Sequence, residues 1–267
     1  MTPPTAPDAG RAGVLVVGSS CAIPRPGRAC SSYVMDVPAA RVAFDFGTGA
    51  LASLRCHCEL EDLDAIVISH MHADHFFDLI PLRYALMYGP RRSARPIPVY
   101  LPPGGERMLR GIADQFVAES PRDFFGGVMT IATYDPARAL RVGDATIRFA
   151  ATTHYVTAFA LRYEWDAASV TYSADTAPDD SVARFADGSQ VFLCEATLGA
   201  DGTEPSPRGH LNGREAGALA HRAGVGQLLI THYAIEAAPG DLALAAAQTF
   251  SGTVRVVDDH DRIDFPN

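Results

Sequence analysis

Three imidazoles and a carboxylate fall within six consecutive residues, His70-Met71-His72-Ala73-Asp74-His75, in a chain with nine histidines among 267 residues. Imidazole nitrogen and carboxylate oxygen are the ligands that zinc and similar divalent ions take. This density points to metal binding rather than to surface histidines, and the donors suffice for two ions. The backbone decides how they are shared. A helix would pair His70 with Asp74 on one face and His72 with Phe76 on another. An extended chain would group His70, His72 and Asp74, opposite Met71 and His75. A tight turn would aim His70 and His72 at one centre, and Asp74 and His75 at an adjacent one.

The elements that must hold this segment can be read on either side of it. Ala65-Ile66-Val67-Ile68-Ser69 is apolar and β-branched and reads as a buried strand, while Asp78 to Met87 reads as a mostly apolar helix stopped by Gly89-Pro90. A strand end followed by a helix start is where an α/β protein places its chemistry. The arrangement recurs downstream. Ala145 to Ala151 leads to Thr152-Thr153-His154, Ser169 to Ser173 to Ala174-Asp175, Val191 to Cys194 to Glu195, and Gln227 to Ile230 to Thr231-His232. Each alone is weak evidence; together with His70 they imply several strand ends converging on one site. Further strands are expected at Val14 to Val17, Ser32 to Asp36, Arg41 to Phe46, Ile97 to Leu101, Met129 to Tyr134, Ala158 to Glu164 and Val254 to Val257. Helices are expected at Ala50 to Arg55, Glu106 to Phe116, Glu215 to Ala223 and Leu242 to Phe250. Strands grouped in each half imply two sheets face to face with helices outside, an α/β fold.

Some neighbouring residues have two readings. Asp45, beside Gly47-Thr48-Gly49, either orients the histidine loop as an acceptor or caps a turn. Arg25 and Arg28 could each face a phosphate or stay solvated. Arg91, Arg92 and Arg95 read as a solvated cluster. Val117 to Gly127, aromatic at Phe124-Phe125, reads as a lid over a pocket, with a packed loop as the rival.

Composition excludes several classes. With 31 acidic and 22 basic residues the formal charge is −9, which disfavours broad non-specific nucleic-acid binding but allows a local basic patch. The five cysteines, Cys21, Cys30, Cys56, Cys58 and Cys194, are odd in number and irregularly spaced, so no disulfide framework is expected. Cys56-His57-Cys58 has no second cluster to complete a metal site. No apolar run is long enough to span a membrane. Residues 1–13, rich in Pro and Ala, read as a flexible tail that is neither signal nor anchor, and residues 14–267 as a single domain. The expected location is the cytoplasm.

The hexapeptide His70 to His75, with His154, Asp175 and His232 in order behind it, resembles the metallo-β-lactamase fold superfamily, and the likeness spans Val14 to about Val257. The resemblance implies a four-layered αββα sandwich with a metal site along one edge of the sheets. It implies two divalent ions, zinc foremost, with manganese or iron fitting the same ligands. His70, His72 and His154 would hold the first, Asp74, His75 and His232 the second, and Asp175 would bridge them. An aspartate bridge is unlike the antibiotic-hydrolysing β-lactamases.

Gly18-Ser19, Phe44-Asp45-Phe46-Gly47, Ala174-Asp175-Thr176 and Cys194-Glu195-Ala196-Thr197 are similar to ribonuclease Z and its phosphodiesterase relatives, which carry His where this chain has Cys194. In that branch Asp74 would aim the attacking water, His210 would assist the phosphate chemistry, and Glu195 would orient His210. Two departures bear on the substrate. The arm that grips transfer RNA has no room between His154 and Asp175, and the loop Pro24-Arg25-Pro26-Gly27-Arg28-Ala29 lacks the Lys and Asn of the family pattern. The reading is therefore a dinuclear-metal hydrolase of a small anionic phosphodiester such as a 3′,5′-cyclic nucleotide. The alternatives are a ribonuclease Z-like endonuclease on RNA 3′ ends, or a carboxylic ester, thioester or lactone hydrolase on the same site. Relatives are often dimers, and Tyr84-Ala85-Leu86-Met87-Tyr88 is either a homodimer interface or core.

Overall fold

The run Val14-Leu15-Val16-Val17 lacks polar alternation because both of its faces are covered. Val14 and Val16 face a core between two sheets, while Leu15 and Val17 face a second core under helices. The same division holds at the strand before the histidine loop, where Ala65 and Val67 point inward and Ile66 and Ile68 outward.

The structure is a computed structural model and describes residues 12–38, 40–90, 95–116 and 123–265. In chain order the first half contributes β1 (Gly13–Gly18), β2 (Ser32–Val37), β3 (Ala40–Phe44), α1 (Ala50–Leu54), β4 (Ala65–Val67), α2 (Ala73–Phe76), α3 (Leu79–Tyr88), β5 (Ile97–Leu101), α4 (Gly105–Ala113) and β6 (Met129–Thr133). The second half contributes β7 (Leu140–Val142), β8 (Ala145–Ala151), β9 (Phe159–Trp165), β10 (Ala168–Tyr172), α5 (Asp180–Phe185), β11 (Val191–Glu195), α6 (Gly213–Ala223), β12 (Gln227–Thr231), α7 (Pro239–Ala247), β13 (Thr253–Val256) and β14 (Arg262–Asp264). One seven-stranded sheet has the order β14-β1-β2-β3-β4-β5-β6, the other β13-β12-β11-β10-β9-β8-β7. Phe44, Leu161, Tyr163, Val170 and Leu193 fill the space between them. Leu79, Leu82 and Leu109 cover the outer face of the first sheet, and Val182, Leu219 and Leu242 that of the second. These four layers, helix, sheet, sheet and helix, are the αββα sandwich that the sequence implies.

Strand direction brings the functional residues to one edge. β10, β11 and β12 run parallel. β8 and β10 are each antiparallel to β9, so β8 runs the same way as they do. The chain beyond β8, β10, β11 and β12 therefore emerges at one end, carrying His154, Asp175, Glu195 and His232. In the first sheet β3 and β4 are parallel, so Asp45 and the histidine loop emerge together. An isolated bridge between His70 and Ala158 and another between Ser20 and Tyr233 join the two sheets at this edge.

Several expectations are corrected. Phe125 is fully buried and Phe124 nearly so, both in the core under α3 and α4, so the described part of the expected lid is packed loop. Residues 117–122 of that stretch, Arg91 and Arg92, and residues 1–11 of the expected tail lie outside the described residues. Arg95 pairs with Asp64. Within Tyr84 to Tyr88, Leu86 belongs to the core, whereas Tyr84 and Tyr88 are 40% and 73% exposed. The strands β7 and β14 and the helix α5 are too short for a periodic signal. β14, which was not among the expected strands, is the partner of β1. Among the described residues no helix is long and apolar enough to cross a membrane.

Gly47 sets how closely the histidine loop can approach. A Cβ there would lie 1.9 Å from the Asp74 carbonyl oxygen. Gly47→Ala is therefore expected to lower stability by about 1–3 kcal/mol in chemical denaturation. Gly111→Ala, in α4 with no atom within 4 Å of the new methyl, is expected to be neutral or slightly stabilising. Equal effects at the two sites would contradict this account of the contact.

Candidate metal centre

The histidine loop takes none of the three geometries in pure form. His70 sits in an isolated bridge to Ala158, His72 has extended backbone at φ −78° and ψ 146°, and α2 follows with Asp74 and His75 in its single turn. Extended spacing puts His70 and His72 on one side, and the helical turn directs Asp74 and His75 to a neighbouring position. The other sheet completes two groups. His70, His72, His154 and Asp175 form one, and Asp74, His75, Asp175 and His232 the other, with the donor atoms of each group within 4.8 Å of one another. Asp175 is common to both. Its Oδ2 lies 3.7 Å from His70 Nε2, 3.7 Å from His154 Nε2 and 3.4 Å from His75 Nε2, and its Oδ1 lies 3.5 Å from His232 Nε2. Asp74 Oδ2 is 3.3 Å from both His75 Nε2 and His232 Nε2.

These atoms fit cations. His70 Nε2, His75 Nε2 and Asp175 Oδ1 are buried and have no hydrogen-bond partner, a state that native interiors rarely leave uncompensated. His72 Nδ1 and His154 Nε2 stand 3.0 Å apart, each pointing at the other. Burial holds His70, His72 and His154 below the ordinary imidazole range, His70 well below it, so they are neutral and carry a lone pair for a metal. His75 is the exception. Burial would lower it, but Asp175, Asp74 and Asp45 surround it and hold it well above the usual range. Burial raises Asp74 and Asp175, yet their electrostatic contacts and hydrogen bonds with the neighbouring His75 and His232 rings outweigh that and keep both carboxyls below their usual range.

Hydrogen bonds on the far side of the rings decide which nitrogen faces the centre. His75 Nδ1 donates to Asp45 Oδ2 at 2.7 Å, and His154 Nδ1 donates to the Gly209 carbonyl at 2.8 Å. The other two use a hydroxyl relay. Ser69 Oγ gives its one proton to Asp45 at 2.8 Å, so at 3.0 Å it accepts from His70 Nδ1. Thr197 Oγ1 gives its proton to Glu195 at 2.7 Å, so at 2.8 Å it accepts from His232 Nδ1. A hydroxyl has one proton to donate, so each relay leaves Nε2 as the lone-pair nitrogen. Asp45 also accepts from the Ser69 backbone N–H and the Tyr172 hydroxyl, which makes it the acceptor that orients the loop rather than a simple cap. Asp45, Ala174 and His232 all have positive φ, at 58°, 51° and 50°. Such backbone costs roughly 1–3 kcal/mol per residue and clusters at functional sites.

Beside the second group stands a dyad, with Glu195 Oε1 3.1 Å from His210 Nδ1. Burial lowers the His210 pKa, but the Glu195 hydrogen bond and the charges of Glu195, Asp175 and Glu204 raise it to about 9. His210 sits just ahead of α6. That helix begins with a capping box, in which Asn212 Oδ1 accepts from the Glu215 N–H at 2.9 Å and Glu215 accepts from the Asn212 N–H at 3.1 Å. Arg25 and Arg28 do not face the site as free cations; both pair with Asp258, and Arg25 also lies over the Tyr233 ring. The relays through Ser69 and Thr197 leave no local sign in the sequence. Thr197 was visible only as the last residue of the Glu195-Ala196-Thr197 pattern.

The β-lactamase superfamily domain model matches residues 40–233. The chain is 30% identical over 245 residues to the probable metallo-hydrolase YhfI of Bacillus subtilis, covering 91% of this chain and 96% of that one. It is 28% identical over 274 residues to a ribonuclease Z of Mycobacterium bovis, covering 94% and 97% of the two chains. The crystal structure of B. subtilis YhfI superposes with a TM-score of 0.84 at 27% identity, covering 95% of this chain and 99% of that one. Human short-form tRNase Z superposes with a TM-score of 0.72 at 19% identity, covering 96% and 100%. The chain belongs to the metallo-β-lactamase superfamily and is a metal-dependent hydrolase.

The Thr197 relay makes a prediction. Thr197→Val keeps the shape but removes the acceptor for His232 Nδ1, and is expected to weaken metal binding about 10–100-fold in a chelator-competition titration. Thr197→Ser should retain wild-type affinity. Equal affinity in all three proteins would show that the relay has no part in metal binding.

Proposed function

We propose that this member of the metallo-β-lactamase superfamily hydrolyses phosphodiester bonds. The observation that carries the reading is the Glu195–His210 dyad standing next to two groups of metal ligands that share Asp175. His70, His72, His154 and Asp175 would hold one divalent ion, and Asp74, His75, Asp175 and His232 the other. Ions of this kind polarise phosphoryl oxygens and lower the pKa of water.

The chain's own groups supply the rest. Asp74 keeps an ionised carboxylate at the second group and aims the attacking water. Glu195 holds His210 by Nδ1, which leaves Nε2 for the substrate. The Glu195 carboxylate favours the protonated form of His210, which meets an anionic phosphodiester as a proton donor to the leaving oxygen. That assistance matters most when the leaving group is an alkoxide. A carboxylic ester, thioester or lactone hydrolase would have the same ligands but less use for a cationic acid facing an anion.

Two features bear on which phosphodiester is cut. The likeness to ribonuclease Z, at 28% identity over nearly the whole chain, supports cleavage at RNA 3′ ends more directly than it supports a cyclic nucleotide. The small-substrate reading rests on the interval from His154 to Asp175, which β9, β10 and their turn fill, so no RNA-gripping arm stands there.

Metal-loaded protein is expected to turn over at least one of 3′,5′-cyclic AMP and a 3′-extended precursor transfer RNA, compared side by side. Chelation should abolish the activity, and zinc or manganese should restore it. His210→Ala should lower kcat about 10²–10⁴-fold. Metal-dependent hydrolysis of p-nitrophenyl acetate or a lactone, with no cleavage of either phosphodiester, would contradict the reading. Preference for the RNA would mean that another surface of the chain grips it.

A further inference from the structure

One carboxylate beside the centre does more than add to the charge around His210. Glu204 lies in the loop between β11 and α6. Its Oε1 accepts two backbone N–H groups, from Gly209 at 2.7 Å and from His210 at 2.8 Å, and its Oε2 accepts the Tyr155 hydroxyl. Each partner touches the site. The Gly209 carbonyl accepts from His154 Nδ1 at 2.8 Å. His210 is one half of the dyad. Tyr155 follows His154, and its ring centroid lies 5.1 Å from that of His154 and 5.8 Å from that of His210.

The fit is close. A Cβ on Gly209 would come within 2.6 Å of the Tyr155 ring, so only glycine lets the ring pack against this peptide. Glu195 fixes the His210 imidazole at one point, Nδ1, about which the ring and its main chain could still move together. A second point on the backbone removes that freedom, and Glu204 supplies it. Arg208, which is itself paired with Glu215, donates to the His210 carbonyl at 3.2 Å.

We propose that Glu204 is a positioning residue for the acid step: its carboxylate fastens Tyr155, Gly209 and His210 into one unit and so sets where the His210 imidazole stands against the metal ligands. The proposal rests on the reading of His210 as the proton donor. An acid that stands out of line costs most where the leaving group needs its proton. Loss of Glu204 should therefore copy the leaving-group selectivity of losing His210.

The test uses two phosphodiesters, bis(p-nitrophenyl) phosphate, whose phenolate leaves without help, and diphenyl phosphate, whose phenolate is far more basic. Metal-loaded wild type, His210→Ala, Glu204→Ala, Glu204→Gln and the Glu204→Ala/His210→Ala double variant are compared, and metal is counted in each. His210→Ala is expected to slow diphenyl phosphate far more than the nitrophenyl ester. Glu204→Ala should show the same selective fall in kcat, about 10–100-fold, with KM and metal content unchanged. The double variant should be no slower than His210→Ala, because Glu204 acts through His210. Glu204→Gln should regain most of the rate, since one amide oxygen can accept both backbone N–H groups. An equal slowing of both esters by Glu204→Ala, a double variant slower than His210→Ala, or loss of metal from Glu204→Ala overturns the proposal. A His210→Ala variant without selectivity overturns the acid reading itself; selectivity there but not in Glu204→Ala overturns only the role given to Glu204.

Discussion

A carboxylate that is 2% exposed, Asp175, is ringed by four imidazole nitrogens at 3.4–3.7 Å. Burying such a charge is costly unless opposite charge accompanies it. The surrounding histidines cannot all provide that charge as protons. His70, His72 and His154 are driven towards the neutral form by burial. Cations are the physical solution, and the architecture is arranged around admitting them. The sheets run so that four strand ends of one sheet and two of the other deliver their polar residues to a single edge.

Fixing ligands at that edge takes a further layer of contacts. Asp45 and Glu195 play parallel parts in the two sheets. Each is fully buried, each accepts the proton of a hydroxyl that in turn receives an imidazole N–H, and each also meets a second histidine directly. The two carboxylates thus hold four histidines, His70 and His75 by Asp45, His232 and His210 by Glu195. The strained backbone at Asp45, Ala174 and His232 is the cost of aiming these groups inward. Close approach at Gly47 and Gly209, where a side-chain carbon would collide with the Asp74 carbonyl or the Tyr155 ring, belongs to the same constraint.

Much of this was legible in the sequence because the site residues lie at the ends of apolar runs, where strand patterning makes position readable. His70, His154, Asp175, Glu195 and His232 stood out for that reason, and continuous apolar runs such as Val14 to Val17 foretold strands. What pattern could not reach were contacts between residues far apart in the chain. Arg28 meets Asp258, 230 positions away, so its engagement has no local sign. Phe124 and Phe125 look like lid aromatics until the core they enter is seen. Ser69, Thr197 and Glu204 are ordinary polar residues whose roles exist only once strand directions place them behind a ring or beneath a loop. The three-residue strands β7 and β14 carry too few positions to show a period.

The most direct test of a shared-carboxylate metal centre is X-ray diffraction from crystals of the purified protein, measured at the absorption edge of the ion it carries. Two anomalous peaks are expected on either side of Asp175, one among His70, His72 and His154 and one among Asp74, His75 and His232. A map with no peak beside Asp175, or with its only peak between Glu195 and His210, would contradict it.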